Sequence, residues 1–302
     1  MFLGHGLAAF ALAASLAAYC GWGDDRALAV GLVAGLFATL PDVDVVYTAG
    51  GFLTAQITGP DSFWGVANEL HRGITHSLVV GAAATLGFAG WRARTTAWRG
   101  LAATLVLTGL VGLGLTAGPA VGAVMLVFVV VGVGIVRVAE LLLLGPRVVL
   151  ATAGLGLGTH PFGDLLTGSA PAVLYPFEPL SLSRIALHPD PTIHLLGSFA
   201  VELAVVWAAL VVGVAVGTET QLRDHVQPRA ALGISYAAAA VVVPAPTLDL
   251  ALPFVASVLS VGIIAAPVRA ERPRLLTLFG TALTAVTLAA AAYAVVYLAG
   301  AA

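Results

Sequence analysis

Apolar residues run along this chain in blocks long enough to cross a bilayer, and polar residues gather at the ends of those blocks. A spanning helix needs about 20 apolar residues. Blocks of this kind occupy residues 2–22, 26–40, 74–91, 100–118, 119–137, 147–167, 192–216, 229–244, 249–268 and 275–299. They are rich in Ala, Val, Leu and Gly and do not alternate, so they predict helices and not barrel strands. The expected fold class is all-α, a polytopic transmembrane helical bundle of about ten spans. Gly118-Pro119 alone separates the fourth block from the fifth. Residues 1–22 imitate a signal peptide, but they lack a basic start and carry His5, so they are expected to be a helix of the mature chain.

Composition sharpens this picture. Of 302 residues, 60% are hydrophobic and 9% charged, with a mean hydropathy of +1.02. A soluble domain carries roughly 25% charged residues. No soluble core could bury so much apolar surface, which excludes a cytosolic enzyme, a secreted domain and a disordered chain. A multi-pass protein of the plasma membrane is expected. The net charge of -2 offers no footprint for nucleic acid, so no nucleic-acid partner is expected. Cys20 is the single cysteine and lies in an apolar run. It reads as a small core residue, and it leaves no disulfide or thiolate site.

All thirteen basic residues are arginine, and they orient the chain. With Arg92, Arg94 and Arg99 in the cytoplasm, and a crossing at every block, Arg26, Arg137, Arg147, Arg223, Arg229, Arg269, Arg272 and Arg274 also reach cytoplasmic ends. Arg72 and Arg184 stay outside, as do both termini. Every histidine except His225 then shares the outer face; His225, beside Arg223 and Asp224, reads as a solvated cytoplasmic residue. The outer loops 41–73 and 168–191 carry Trp64, Tyr175 and Phe177, aromatics suited to the interface. No internal repeat is visible.

Four polar motifs fall on that outer face. In Leu40-Pro41-Asp42-Val43-Asp44, Pro41 favours an extended step, which would aim both carboxylates at one point. Close carboxylates repel unless a cation lies between them. In His71-Arg72-Gly73-Ile74-Thr75-His76-Ser77, Gly73 breaks the helix and Thr75 suits the N-cap, so His71 can fold back towards His76. Arg72 could orient an anion, and Glu69 could support the histidines from behind. In Thr159-His160-Pro161-Phe162-Gly163-Asp164, His and Asp four apart share a helix face and can hold one metal. Polar pairs at that depth are expensive in lipid and mark function. His5, at the outer end of the first block, can join them. A structural account competes with each motif: a helix-end loop, interfacial histidines, or a buried His–Asp hydrogen bond. His188, Asp190 and His194 form a fainter group in a prolyl loop, and whether they join the site is left open.

Imidazole and carboxylate ligands suit divalent metal ions, zinc first, with Mn or Fe as the other choices. His5, Asp42, Asp44, His71, His76, His160 and Asp164 exceed the three or four ligands of one zinc and fit a two-metal site that grips an ester oxygen and activates water. There is no HExxH and no GxSxG, and without lysine no Walker motif is possible.

His5, LPDVD at 40–44, HRGITHS at 71–77 and THPFGDLLTGSAPAVLYPFEP at 159–179 resemble the YdjM-like family of membrane-bound, metal-dependent hydrolases. The family pattern is an early His, a PDxD step, an HRGxTHS block and HxxxD before a proline-rich stretch. It looks distantly related to zinc-dependent phospholipase C. The resemblance covers about residues 1–180. Members often carry His directly after PDxD, where this chain has Val45. An extra hairpin fits near 100–146, and residues 181–302 match no pattern, which divides the chain into a hydrolase-like membrane core (1–180) and additional transmembrane helices (181–302).

The resemblance and the residues together imply a membrane hydrolase acting on a phosphoester or related ester at the outer surface. Asp42, Asp44 and Arg72 would be catalytic, and a membrane lipid or small-molecule headgroup would be the substrate and partner. The alternatives are a transporter and a metal-binding membrane scaffold without catalysis. A transporter needs polar residues at depth, where only Glu140 and Glu202 stand out.

Overall fold

In the computed structural model, residues 2–47, 72–166, 171–177, 183–242, 245–247, 251–266 and 275–300 are described. Among these, every regular element is helical. The chain divides into two units, Met1–Arg184 and Ile185–Ala302.

Among its described residues the first unit holds six α-helices: α1 (Phe2–Tyr19), α2 (Asp24–Thr39), α3 (Leu78–Arg92), α4 (Ala97–Ala117), α5 (Pro119–Leu141) and α6 (Pro146–Asp164). Gly21, with φ 77°, turns the chain after α1. Asp24 and Asp25 open α2, where acidic groups complement the helix dipole. Gly118, with φ 138°, and Pro119 at the first position of α5 make the tight turn between α4 and α5. The core is a row of fully buried rings, Phe37–Phe88–Phe128, with centroids 5.6 and 6.2 Å apart. Gly132 lies directly against the Phe88 ring, so no side chain fits there.

The second unit holds α7 (Pro191–Gly217), α8 (Ala251–Ala265) and α9 (Leu275–Leu298), with a 3-10 stretch Pro228–Ala238 that runs into one α-turn, Ala239–Val242. Phe199, Phe254, Val258 and Tyr293 form its core. Gly233 sits against the α9 backbone at Ala285, closer than a Cβ would permit.

Several expectations are corrected. Among the described residues, five helices, not ten, are long and apolar enough to cross a membrane: Asp24–Val46, Ala97–Ala117, Pro119–Leu141, Pro191–Gly217 and Leu275–Leu298. The chain breaks its apolar blocks with Gly, Pro and polar residues. α3 has 15 residues, about 22 Å at 1.5 Å per residue, against roughly 30 Å of hydrocarbon. The block at 229–244 is mostly 3-10 helix. Cys20 is exposed just beyond α1 and is no core residue. His225 is buried, not solvated: Thr220 Oγ1 lies 2.8 Å from its Nε2 and Thr277 Oγ1 3.3 Å from its Nδ1.

Candidate metal centre

Four helix ends of the first unit bring the site together: the start of α1, the end of α2, the turn before α3 and the end of α6. Glycines set how closely these helices approach. Gly6 and Gly35 seat α1 on α2, since a Cβ on Gly35 would lie 2.8 Å from Gly6 O. Gly156 seats α6 on α2; its Cβ would lie 2.6 Å from Ala38 N and 2.8 Å from Ala34 O. That approach lets His160 Nδ1 reach Ala38 O at 2.6 Å. A carbonyl only accepts, so Nδ1 carries the proton and the Nε2 lone pair faces the site. Gly163 leaves room for His5, whose Nδ1 would lie 2.6 Å from a Cβ there.

After α2 the chain does not extend at Pro41 as expected. It tightens into a 3-10 helix, Leu40–Tyr47. With three residues per turn, Asp42 and Asp44 point about 120° apart, and they reach opposite edges of the His76 ring. Asp42 Oδ1 lies 3.7 Å from His76 Nε2, and Asp44 Oδ2 lies 3.3 Å from Nδ1. Asp44 also accepts from Thr75 Oγ1 at 3.0 Å and from the Arg72 backbone N–H at 3.3 Å. It therefore holds the back of His76, which turns Nε2 inward.

The turn at residues 72–77 is built differently from its sequence reading. Ser77, not Thr75, caps the helix, accepting from the N–H groups of Val79 and Val80. Thr75 instead binds Asp44 and lies 3.0 Å from His76 Nδ1. Arg72 takes a left-handed backbone, φ 68°, and its Nε lies 3.4 Å from Asp164 Oδ2. The proline-rich stretch ties down the same turn. Leu78 N–H donates to Val173 O at 2.8 Å, Ala172 N–H to Arg72 O at 3.1 Å, and Ser77 Oγ to Tyr175 O at 2.7 Å.

Six of the expected ligands are thereby brought together. Asp164 is the hub: its Oδ1 lies 3.1 Å from His5 Nε2, and its Oδ2 lies 3.2 Å from His76 Nε2 and 3.8 Å from His160 Nε2. His160 Nε2 lies 3.5 Å from Asp42 Oδ1. The rings of His5 and His76 stand 4.0 and 4.6 Å from that of His160. His76, His160, Asp44 and Asp164 are each at most 1% exposed. Among the described residues, two groups offer ligand atoms within 4.8 Å of one another: His5, Asp42 and His160, and His76, His160 and Asp164. Both use His160, whose single Nε2 lone pair serves one cation. Asp44 belongs to neither group. His71, with Glu69, lies outside the described residues.

These residues fit a divalent cation. Asp42 Oδ2, Asp164 Oδ2 and His160 Nε2 are buried without a hydrogen bond. Buried polar atoms normally find partners, and converging carboxylates and imidazoles are a ligand set.

A family model of the YdjM inner membrane proteins matches residues 1–221. The chain belongs to the YdjM inner membrane protein family. The match runs past the motif-bearing 1–180 and through the whole of α7. No curated protein and no solved structure matches the chain. YdjM membership agrees with the membrane helices.

His188, Asp190 and His194 do local work at the start of α7 in the second unit. Asp190 caps α7 through the Ile193 N–H at 2.9 Å. His194 Nδ1 accepts from Leu187 N–H at 3.1 Å, and His188 Nδ1 from Asp190 N–H at 3.0 Å. The sequence reading missed Thr75 as the partner of Asp44 and Gly163 as the seat of His5. A hydroxyl beside a histidine and a glycine directly before an acid were visible, but which side chains they meet depends on other helices.

Proposed function

We propose that this YdjM protein is a membrane metallohydrolase whose site, at the outer face, cleaves a phosphoester or a related ester. The observation that carries the reading is the pair of overlapping triads, His5–Asp42–His160 and His76–His160–Asp164, that share His160, with Asp42 Oδ2, Asp164 Oδ2 and His160 Nε2 buried without a hydrogen bond. His76, His160 and Asp164 would hold the ion, with His5 and Asp42 beside them. Bound there, a divalent cation would supply Lewis-acid polarisation of a phosphoryl oxygen and lower the pKa of water.

The protein's own groups would do the rest. Asp42 keeps one oxygen without a hydrogen bond, so it is better placed than Asp44 to take the proton from attacking water. Asp44 is already occupied by Thr75 and Arg72 N–H and orients His76. The Arg72 guanidinium, against Asp164, would steady the anionic phosphoryl group.

The outward direction rests on charge. Site residues lie at one end of α1, α2, α3 and α6, while Arg26, Arg92, Arg99, Arg137 and Arg147 lie towards the other ends of their helices. Arginine favours the cytoplasmic side. Cys20, exposed at the arginine end, tests this: in oriented vesicles an impermeant maleimide should label it from the cytoplasmic side, and labelling from outside would reverse the site.

Two observations bear on the alternatives. Glu140 is held by Arg94 at 2.8 Å and Arg137 at 2.6 Å at the end of α5, so it is no deep cation carrier. The near-complete burial of the ligands favours a structural ion without catalysis, since structural sites are closed. Metal analysis of the purified protein with a phosphodiester screen decides between them. Stoichiometric metal with turnover abolished in His76→Ala supports the hydrolase. Metal without turnover of any ester leaves the structural ion, and a folded protein that takes up no metal defeats both.

A further inference from the structure

At the arginine end of the first unit, the turn between α5 and α6 places leucine where the backbone favours glycine. Leu143 N–H donates to Glu140 O at 3.0 Å and Leu144 N–H to Ala139 O at 2.8 Å, a pair of bonds that closes the end of α5. Such a cap needs a left-handed residue, usually glycine, and Leu143 fills that place with φ 56°. A Cβ makes this conformation unfavourable. The Leu143 side chain is also 88% exposed, and that of Leu141, the last residue of α5, 82%. Leu144 between them and α6 is buried, and Arg92 Nε donates to its carbonyl at 2.8 Å. One leucine and one arginine thus fix the turn, and two leucines are held outward. α5 has 23 residues, about 34 Å at 1.5 Å per residue against roughly 30 Å of hydrocarbon, so its ends reach headgroup depth.

Charge at this end is one-sided. From residue 78 to 163 the chain carries Arg92, Arg94, Arg99, Arg137 and Arg147 and a single acid, Glu140. Glu140 is already matched by Arg94 at 2.8 Å and Arg137 at 2.6 Å. The Arg137 side chain stays 59% exposed in that pair, and Arg99 and Arg147 are exposed in the first turns of α4 and α6. We infer that the α5–α6 turn, with Arg99, Arg137 and Arg147, is a binding surface for an anionic phospholipid. Leu141 and Leu143 lie among its acyl chains, and the guanidinium groups take its headgroup. Charge complementarity selects this occupant: a zwitterionic lipid offers the same chains, but its ammonium cancels the phosphate, and a water-soluble acidic partner leaves both leucines uncovered. Glycine at 143 would give the better cap, so what the leucine contributes is the contact its side chain makes. The inference stands apart from the hydrolase reading and from the direction the chain faces.

The test counts bound lipid. Detergent-purified full-length protein is titrated with dimyristoylphosphatidylglycerol and, separately, with dimyristoylphosphatidylcholine, and the adducts are followed by native mass spectrometry. An arginine at an anionic surface favours binding about fivefold. Wild type should therefore prefer the glycerol lipid by at least about fivefold, Arg147→Gln should cut that ratio about fivefold, and adding Arg99→Gln should lower it again. Leu143→Gly removes the apolar contact but improves the cap. It should weaken both lipids about tenfold with their ratio unchanged, in a protein that unfolds at or above the wild-type temperature. Arg223→Gln, at an exposed arginine of the second unit, should leave the ratio as it is. A wild-type ratio near one overturns the surface, as does an Arg147→Gln protein that keeps the ratio or a Leu143→Gly protein that binds both lipids as wild type does. An Arg223→Gln loss equal to that of Arg147→Gln reduces the preference to diffuse charge and overturns it too. The same spectra count protein copies: a dimer that Arg147→Gln or Leu143→Gly splits while the lipid ratio holds would put a second copy on this surface in place of lipid.

Discussion

Replacing Gly163 by alanine should weaken metal binding without weakening the fold. A Cβ at 163 would lie 2.6 Å from His5 Nδ1. The obstacle is the ring of one side chain, so the ring can swing off Asp164 while the backbone stays. Gly163 is the next-to-last residue of α6, where replacing glycine favours folding by less than the roughly 1 kcal/mol of an interior position. Losing the 3.1 Å His5–Asp164 contact opposes that by about 1 kcal/mol. Thermal stability should therefore change little. Nothing offsets the loss at the metal: displacing a supporting or ligating group lowers affinity by roughly 10–100-fold, about 1.4–2.8 kcal/mol. Gly156→Ala behaves differently, because its Cβ would meet backbone atoms of α2 at 2.6 and 2.8 Å, which cannot rotate away. The helices must part, at about 1–3 kcal/mol for overpacking, and Ala38 O is drawn off His160, so stability and affinity fall together. Gly158, with nothing within 4 Å of an added Cβ, is the control that changes neither binding nor packing. The assay is zinc competition against a chromogenic chelator, alongside thermal unfolding in the same detergent. Wild-type zinc affinity in Gly163→Ala would refute a place for His5 in the centre. A Gly156→Ala protein as stable as Gly158→Ala would refute the account of how α2 positions His160.

Three further outcomes follow from particular contacts. Asp44→Asn should keep the metal but bind it roughly 10–100-fold more weakly, because Asp44 holds the back of His76; affinity equal to that of an Asp164→Asn protein in the same chelator assay would place Asp44 among the ligands instead. His225→Ala should cost about 1–3 kcal/mol through the loss of its contacts with Thr220 and Thr277, read by thermal unfolding, with zinc affinity unchanged; lost zinc binding would contradict its structural role. The Ile193 N–H holds the Asp190 carboxyl below its ordinary value. A depressed value means the cap is present above the unfolded-chain pKa, about 3.9, and is lost as pH falls through the lower folded value, so Ile193 amide exchange should stay protected at pH 4 and quicken only below it. Loss of protection already at pH 5 counts against the cap.

Sequence alone determined the medium and the cast of residues. Hydropathy has no tertiary dependence: a chain this apolar must be in lipid whatever its packing. The i,i+4 spacing of His160 and Asp164 held because a helix repeats every 3.6 residues, and α6 continues through Pro161. The Gly118-Pro119 break held because a glycine at φ 138° turns the chain and the proline after it starts a new helix. Span number failed, because apolar runs do not say where a helix stops, and 3-10 stretches such as Leu40–Tyr47 and Pro228–Ala238 fill blocks that read as α. Tertiary structure decided the roles. Whether Asp44 faces an ion or the back of His76 depends on the Arg72 and Thr75 groups that reach it from 28 and 31 residues away. Whether His160 offers Nε2 depends on Ala38 O, 122 residues earlier. His225 reads as a solvated loop residue beside Arg223 and Asp224, and only the packing of its loop onto α9 buries it, because the Thr277 and Thr281 that receive it lie more than 50 residues downstream. Spacing along one chain fixes directions around one helix axis; which axis lies opposite is set by the helix contacts that glycines such as Gly6, Gly35 and Gly156 allow.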